Sequence, residues 1–287
     1  GEYHGLALGP GVGLDVSSPC GLPSPAVGTN WYMRGLALTC SGGPPLTVGS
    51  TQQACVGWTG DGSVPGSGTS NMVSFSIMTN SSIDWLWGTN YWFAVGASNG
   101  TVDVTNQWVA LGSNLSAAAT ASPYYSFERW SGDTNGSAIN SNAITVTMTQ
   151  PRAVTAWCVA NLVTNGVPEW WLAACGLTNR GWTVEALDDQ DHDGMFTWEE
   201  YFADTHPTNK DSILAITGLA KETNGIRVYW KGGLTARQYL EARSDLVSTG
   251  DEWQAIFTNP PPTSAGTNTL APTNSAQSLF FRIRTER

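Results

Sequence analysis

The sequence predicts a mainly β protein made of tandem small modules: two β-repeats, a short helical calcium-loop module and a C-terminal β-sandwich. Three observations lead there. Charged residues are only 13% of the 287 residues, against a usual fraction of about 25%. Glycine supplies 32 residues and tryptophan 14, a mixture of turn formers and large apolar side chains that suits short strands joined by tight turns. Charge is also unevenly spread. Residues 1–160 hold 3 Lys/Arg and 7 Asp/Glu, whereas residues 161–287 hold 10 and 16. That change marks a boundary near residues 161–166. The 41% apolar content provides material for a core and argues against disorder, and the length allows more than one core.

The two repeats rest on matched blocks. Gly57-Trp58-Thr59-Gly60-Asp61 and Arg129-Trp130-Ser131-Gly132-Asp133 lie 72 residues apart, and each is followed 27 residues after its tryptophan by another, Trp85 or Trp157. Between them run Val73-Ser74-Phe75-Ser76-Ile77 and Ile144-Thr145-Val146-Thr147-Met148, whose period-2 alternation describes strands buried on one face. An internal repeat of this length predicts modules at 14–88 and 89–160, after an N-terminal extension at 1–13. The recurring tryptophans Trp58, Trp85, Trp130 and Trp157 are read as core.

Residues 166–177 predict one helix. Pro168 suits its first turn and Gly176 its C-terminal cap, and Val167, Trp170, Trp171, Ala174 and Cys175 share one face. A calcium-loop module follows to residue 212. From 213 to 287 strand character returns, at Ile213–Thr217, Ile226–Trp230, Gln238–Arg243, Trp253–Phe257 and Leu279–Arg284. Asn224-Gly225 gives a hairpin turn, and the proline-rich stretch Asn259–Thr263 a loop.

One segment carries specific chemistry. Asp189-Gln190-Asp191-His192-Asp193-Gly194-Met195-Phe196-Thr197-Trp198-Glu199-Glu200 matches the twelve-residue calcium-loop pattern without a gap. Ca2+ takes six to eight oxygens, so carboxylates must converge from alternate positions. Asp189, Asp191 and Asp193 would supply side-chain oxygens, Met195 its backbone carbonyl, Thr197 a direct or water-mediated contact, and Glu200 both carboxylate oxygens. Gly194 permits the turn, Phe196 is read as the apolar anchor, and His192 as a solvent-facing filler. Thr197 and Glu200 also form a capping-box pattern that starts a short helix. The plain alternative is a solvated acidic turn before a capped helix. The helix ending near Gly176 lies a dozen residues upstream and no second loop is visible, so a stabilising role is expected rather than a helix-opening switch.

These residues carry a resemblance. The two Trp-x-Gly-Asp blocks with their following strands resemble divergent bacterial repeats of the internalin B-repeat kind. Ser18-Pro19-Cys20-Gly21-Leu22-Pro23-Ser24-Pro25, Gly28-Thr29, Cys40 and Cys55-Val56-Gly57-Trp58 look like the form found in large secreted proteins of Verrucomicrobia and relatives. Gly166 to Trp171, the acidic loop, Glu199-Glu200-Tyr201 and Asp204-Thr205-His206-Pro207-Thr208 are similar to thrombospondin type 3 or dockerin-like calcium modules. Such modules often precede a small β-domain ending in a strand like Leu279-Phe280-Phe281-Arg282-Ile283. The region before the helix lacks a further acidic loop, and His206 stands where an acidic residue is expected. The resemblance implies an extracellular or cell-surface, non-enzymatic structural or adhesive protein, and Gly1 reads as the start of a mature or excised segment.

In that setting the five cysteines are read as disulfides Cys40–Cys55 and Cys158–Cys175, with Cys20 left over and buried free thiols as the alternative. Closing the first loop would contribute about 3 kcal/mol. No cysteine spacing fits zinc or thioredoxin-like redox, and no H-E-x-x-H, G-x-S-x-G or phosphate-loop motif occurs. Gly9-x-Gly11-x-Gly13 leads into no helix and is read as flexible backbone. The net charge of −10 and pI near 4.6 argue against nucleic acid and anionic membranes, and no apolar run is long enough to span a bilayer. Two partners remain. One is the chain itself, with residues 1–13 (Tyr3, Leu6, Leu8, Val12) adding as a strand to a neighbour's sheet edge and Cys20 cross-linking copies in a fibre. The other is a cell-surface glycan stacking on Trp31, Tyr32, Trp92 and Trp108, as in an accessory region of a polysaccharide-degrading enzyme.

Overall fold

The computed structural model describes residues 11–223, 225–244, 253–263, 268–271 and 279–287. It is mainly β, with 53% of residues in strands and 8% in helices. The strand addition expected of residues 1–13 falls largely outside the described residues, as does Asn224 of the expected hairpin turn. Among the described residues no helix is long and apolar enough to cross a membrane. The chain divides into two compact units, residues 1–122 with 127–159, and residues 123–126 with 160–287.

The spine of the first unit is one long strand, Ser81–Ser98. Its first half pairs in parallel with Val12–Ser17 and antiparallel with Thr51–Asp61. Its second half pairs antiparallel with Gln107–Ala110 and in parallel with Arg152–Ala160. The strand therefore runs through the boundary expected at 88/89, closing the first repeat and opening the second. Each repeat covers its half of this sheet with a smaller one. Ala37–Ser41 and Met72–Ser76 pair over the first half, and Asn114–Ala121, Ala143–Thr147 and short neighbours over the second. Alternation fills the two cores. Leu14, Val16, Trp58, Val73, Ile77, Ile83 and Trp85 make the first. Phe93, Ala117, Trp130, Ile144, Val146, Met148, Val154 and Ala156 make the second.

Trp157 departs from its repeat. Trp58 and Trp85 meet edge to face at 6.1 Å, and Trp130 is buried. Trp157 is 40% exposed, donates its indole N–H to Ser131 Oγ at 2.6 Å and lies under the Arg129 guanidinium. The reason is register. The buried positions Val73, Ile77, Ile83 and Trp85 recur as Ile144, Met148, Val154 and Ala156, an offset of 71 residues and not the 72 that relates Trp58 to Trp130. A slip of one residue turns a strand side chain to the other face. Gly13 likewise is not loose backbone: it lies within Val12–Ser17, paired to Trp31 on the strand Gly28–Tyr32.

All five cysteines are free thiols, so the structure contains neither expected disulfide. Cys40 is fully buried in the first core. Cys158 is buried beside Gly100, where a Cβ would come within 3.1 Å of its sulfur. Cys175 packs in the core of the second unit, against Val167, Trp171, Leu172 and Leu177.

In the second unit the expected helix over 166–177 shortens to α1, Glu169–Ala174, after a 3-10 turn at Thr164–Gly166. Pro168 stands just before α1, and Gly176 adopts a left-handed φ of 78° just beyond it, as a helix stop does. Val167, Trp171 and Leu172 point inward while Trp170 is exposed, so the buried face is rotated from the predicted one. Two further helices follow, α2 at Trp182–Ala186 and α3 at Thr197–Ala203. The C-terminal part is a sandwich of two three-stranded sheets. Ala215–Glu222, Gly225–Lys231 and Asn268–Ala271 form one, and Gln254–Asn259, Arg237–Arg243 and Phe280–Glu286 the other. They share a core of Val228, Trp230 and Leu240, with Phe257, Phe281 and Ile283 against it. The strand at Asn268–Ala271 is too short and polar to announce itself by alternation.

Candidate calcium site

The acidic loop is held between α2 and α3, so it has an entering helix after all. The sequence hides α2 because it is five residues long, begins after Gly181 at φ 88° and contains β-branched Thr183 and Val184, which are poor helix formers. Tertiary contacts hold it instead. Glu185, almost fully buried, accepts the N–H groups of Asn179 and Arg180 at 3.1 and 2.9 Å, the Arg180 guanidinium at 3.1 Å and the Gln190 amide at 2.8 Å. Burial works to raise the Glu185 pKa, but Arg180 and these backbone donors outweigh it and hold the carboxyl below the usual range.

Within the loop each aspartate spends some oxygens on local backbone. Asp189 accepts from His192 N–H at 2.8 Å and Gly194 N–H at 3.0 Å. Asp191 Oδ1 accepts from Asp193 N–H at 3.2 Å, and Asp193 Oδ1 from Met195 N–H at 2.8 Å. The turn needs φ of 62° at His192 and 97° at Gly194, and His192 is exposed. Carboxylate oxygens of Asp189, Asp191 and Asp193 all lie within 4.8 Å of one another.

The loop closes through Thr197, fully buried, whose N–H and hydroxyl both donate to the Asp188 carbonyl at 2.9 and 3.0 Å. The helix cap is shifted by one residue from the expected box. Glu199, not Glu200, reaches back, its carboxylate accepting the Phe196 N–H at 2.9 Å. Phe196 is 48% exposed and does not anchor the loop; Trp198 and Tyr201 pack against the core instead.

Releasing Glu200 from the cap matters. Its side chain is fully buried, and neither Oε1 nor Oε2 has a hydrogen-bond partner. Asp191 Oδ2 and Asp193 Oδ2 are likewise buried and unpartnered. Burial, then the nearby Asp191 and Asp193 carboxylates, push the Glu200 pKa up to about 8 against the nearby Thr205 hydroxyl, which works to lower it but does not reach hydrogen-bond geometry. Unpaired buried carboxylates cost several kcal/mol each, so four such oxygens are tolerable when a hard divalent cation takes them. Their number and hardness, beside the three converging aspartates, fit Ca2+. Asp189, Asp191, Asp193 and Glu200 would hold it, with Met195 able to add a carbonyl. Glu185, Arg180 and Gln190 position the loop; no motif in the sequence pointed to them.

The repeat architecture is equally specific. Residues 92–160 match the divergent InlB B-repeat domain. The InlB B-repeat match begins at Trp92, within the shared strand, and ends with Arg152–Ala160. It thus covers about a quarter of the chain and contains the complete second core. The match is consistent with a surface or structural repeat protein. Comparison with curated proteins and with solved structures finds no match.

Proposed function

We propose that this chain is a non-enzymatic extracellular protein of structural or adhesive role, in which β-repeats are followed by a calcium-clamped module that stiffens the chain. The observation that supports it most is the set of four buried, unpartnered carboxylate oxygens on Asp191, Asp193 and Glu200. Millimolar calcium is an extracellular condition, and a clamp of this kind would be filled there and empty elsewhere. Calorimetry tests the reading. With a dissociation constant near 10 µM and about 1 mM calcium, linkage adds about 2.7 kcal/mol. Chelator should lower the melting of the module by that amount, and an unchanged profile would refute the clamp.

A carbohydrate-binding role has one observation in its favour. The Trp31 indole lies beside Gly11 and Gly13: a Cβ on Gly11 would meet Cε3 at 3.7 Å, and one on Gly13 would meet Cζ3 and Cη2 at 3.6 and 3.7 Å. The residue is 68% exposed. A flat uncharged platform suits the C–H face of a sugar. Tyr32 packs against the core instead, and Trp92 meets Trp108 edge to face at 5.1 Å. On this reading Trp31→Ala weakens retention on insoluble polysaccharides by about tenfold, or about 1.4 kcal/mol. Equal retention of both proteins removes Trp31 from consideration.

A further inference from the structure

Tight approaches bring the segment after Val12–Ser17 against the strand Thr51–Asp61. Gly21 lies against the Trp87 indole so closely that a Cβ would overlap the ring, and that Cβ would be 3.3 Å from the Gly42 carbonyl. Trp87 stands directly opposite Cys55 in the ladder and donates to Ser18 Oγ at 2.9 Å. Ser18 Oγ in turn donates to the Cys20 carbonyl at 2.6 Å. On the other side, a Cβ on Gly42 would overlap the Cys55 sulfur, and one on Gly43 would come 2.7 Å from the Leu22 carbonyl. Reciprocal backbone bonds between Ser24 and Ser41, 2.8 and 2.7 Å, pin the segment there.

Cys55 and Gly21, the residue that follows Cys20, therefore border the same Trp87 ring and the same Gly42 turn, and both cysteines are half-buried. After burial, the Cys55 thiol is what raises the Cys20 pKa, as close neighbours do. Cys40 is different: it is fully buried on the covering sheet, and burial pushes its thiol up to about 11, which disfavours the reactive thiolate.

We propose that Cys20 and Cys55 form a disulfide in an oxidising compartment, with a small-molecule disulfide such as oxidised glutathione as electron acceptor. One thiolate attacks the glutathione disulfide and releases a glutathione thiolate, leaving a mixed disulfide. The second cysteine thiolate then attacks the protein sulfur of that mixed disulfide and expels the second glutathione. Two protons leave the protein thiols, and two electrons pass to glutathione, recovered as two thiols. The bond would tie the loop over Trp87 to the strand beneath it. The proposal shares with the proposed function only the extracellular setting, and the calcium clamp can fail without affecting it.

The full chain, reduced and then oxidised in a defined glutathione buffer, is alkylated and digested without reduction. A peptide pair linking Cys20 to Cys55 is expected, with three of the five thiols alkylated. Cys20→Ser should abolish the linked pair and Cys40→Ser should keep it. Should Cys40→Ser fail to fold, mapping of the unaltered chain decides alone. Recovery of Cys55 joined to Cys40, or of Cys20 and Cys55 both alkylated, overturns the proposal.

Discussion

Replacing Glu200 with glutamine removes the calcium-dependent stability of the second unit, a loss of up to about 2.7 kcal/mol at about 1 mM calcium. Glu200 is the one proposed ligand that brings two oxygens, and both are buried without partners. An amide of the same shape offers one neutral oxygen where the carboxylate offers two and a charge, which removes the ligand that closes the site. In chelator the order changes. An amide costs less to bury than a carboxylate beside Asp191 and Asp193, so Glu200→Gln should then melt at or above the unaltered protein. The pair of measurements separates a metal site from a packing effect, since a packing defect lowers both curves. Calorimetry of the two proteins, each with calcium and with chelator, provides the check. Glu200→Gln that keeps the full calcium response would end the case for Glu200 as a ligand.

Asp204→Ala is expected to cost about 3–5 kcal/mol, the range for removing one partner of a buried ionic cluster. Asp204 caps α3 in the left-handed region at φ 60°, with its side chain only 8% exposed. Its carboxylate accepts the Thr235 N–H and hydroxyl at 2.5 Å each, the Ala236 N–H at 3.0 Å and the Arg287 guanidinium at 3.0 Å. Gly233 passes so close that a Cβ there would overlap the Asp204 carbonyl and carboxylate. The residue thus joins the acidic-loop module to the C-terminal sandwich. Asp204→Asn keeps the backbone preference and part of the network, and should cost about half as much. Urea unfolding of both variants in chelator measures this; a loss below about 1 kcal/mol for alanine would contradict it.

The same carboxylate sets a pH dependence. Burial works to raise the Asp204 pKa, but the Thr235 and Ala236 donors and Arg287 outweigh it and hold it low. Glu241, between Arg282 and Arg284 at 2.6 and 2.9 Å, is also held low against burial. A depressed native pKa means the unfolded chain binds protons first as pH falls. Stability from these groups is therefore complete above the ordinary carboxylate range of about 4 and is lost as pH drops through their lower native values. Melting of the metal-free second unit should rise as pH falls from about 8 toward 5, because the raised Glu200 pKa makes the native state bind its proton first, and fall steeply below about 4.

What the sequence determined by itself is local. The alternation in Val73–Ile77 and Ile144–Met148 depends on neighbours two residues apart, and it identified the strands of both cores. The spacing of Asp189, Asp191 and Asp193 lies within one turn of chain, and the structure brings these carboxylates together. The repeat was legible because its tryptophans recur, and residues 92–160 match a repeat family.

What only the tertiary structure decided depends on distant groups. Helix α2 has weak intrinsic propensity and is held by the Arg180, Gln190 and backbone contacts of Glu185. Glu200 is free to turn inward because Glu199 takes the cap, and its lack of partners is a property of the core around it, not of the motif. Trp157 points outward because one residue fewer separates the matched strands, a change that inverts a face and leaves composition untouched. Sequence proximity favoured Cys40 for Cys55. Yet Cys40 lies on another sheet, while Gly21 packs the segment that holds Cys20 onto the Trp87 ring opposite Cys55. Such an approach is set by where the chain returns, and spacing along the chain holds no record of it.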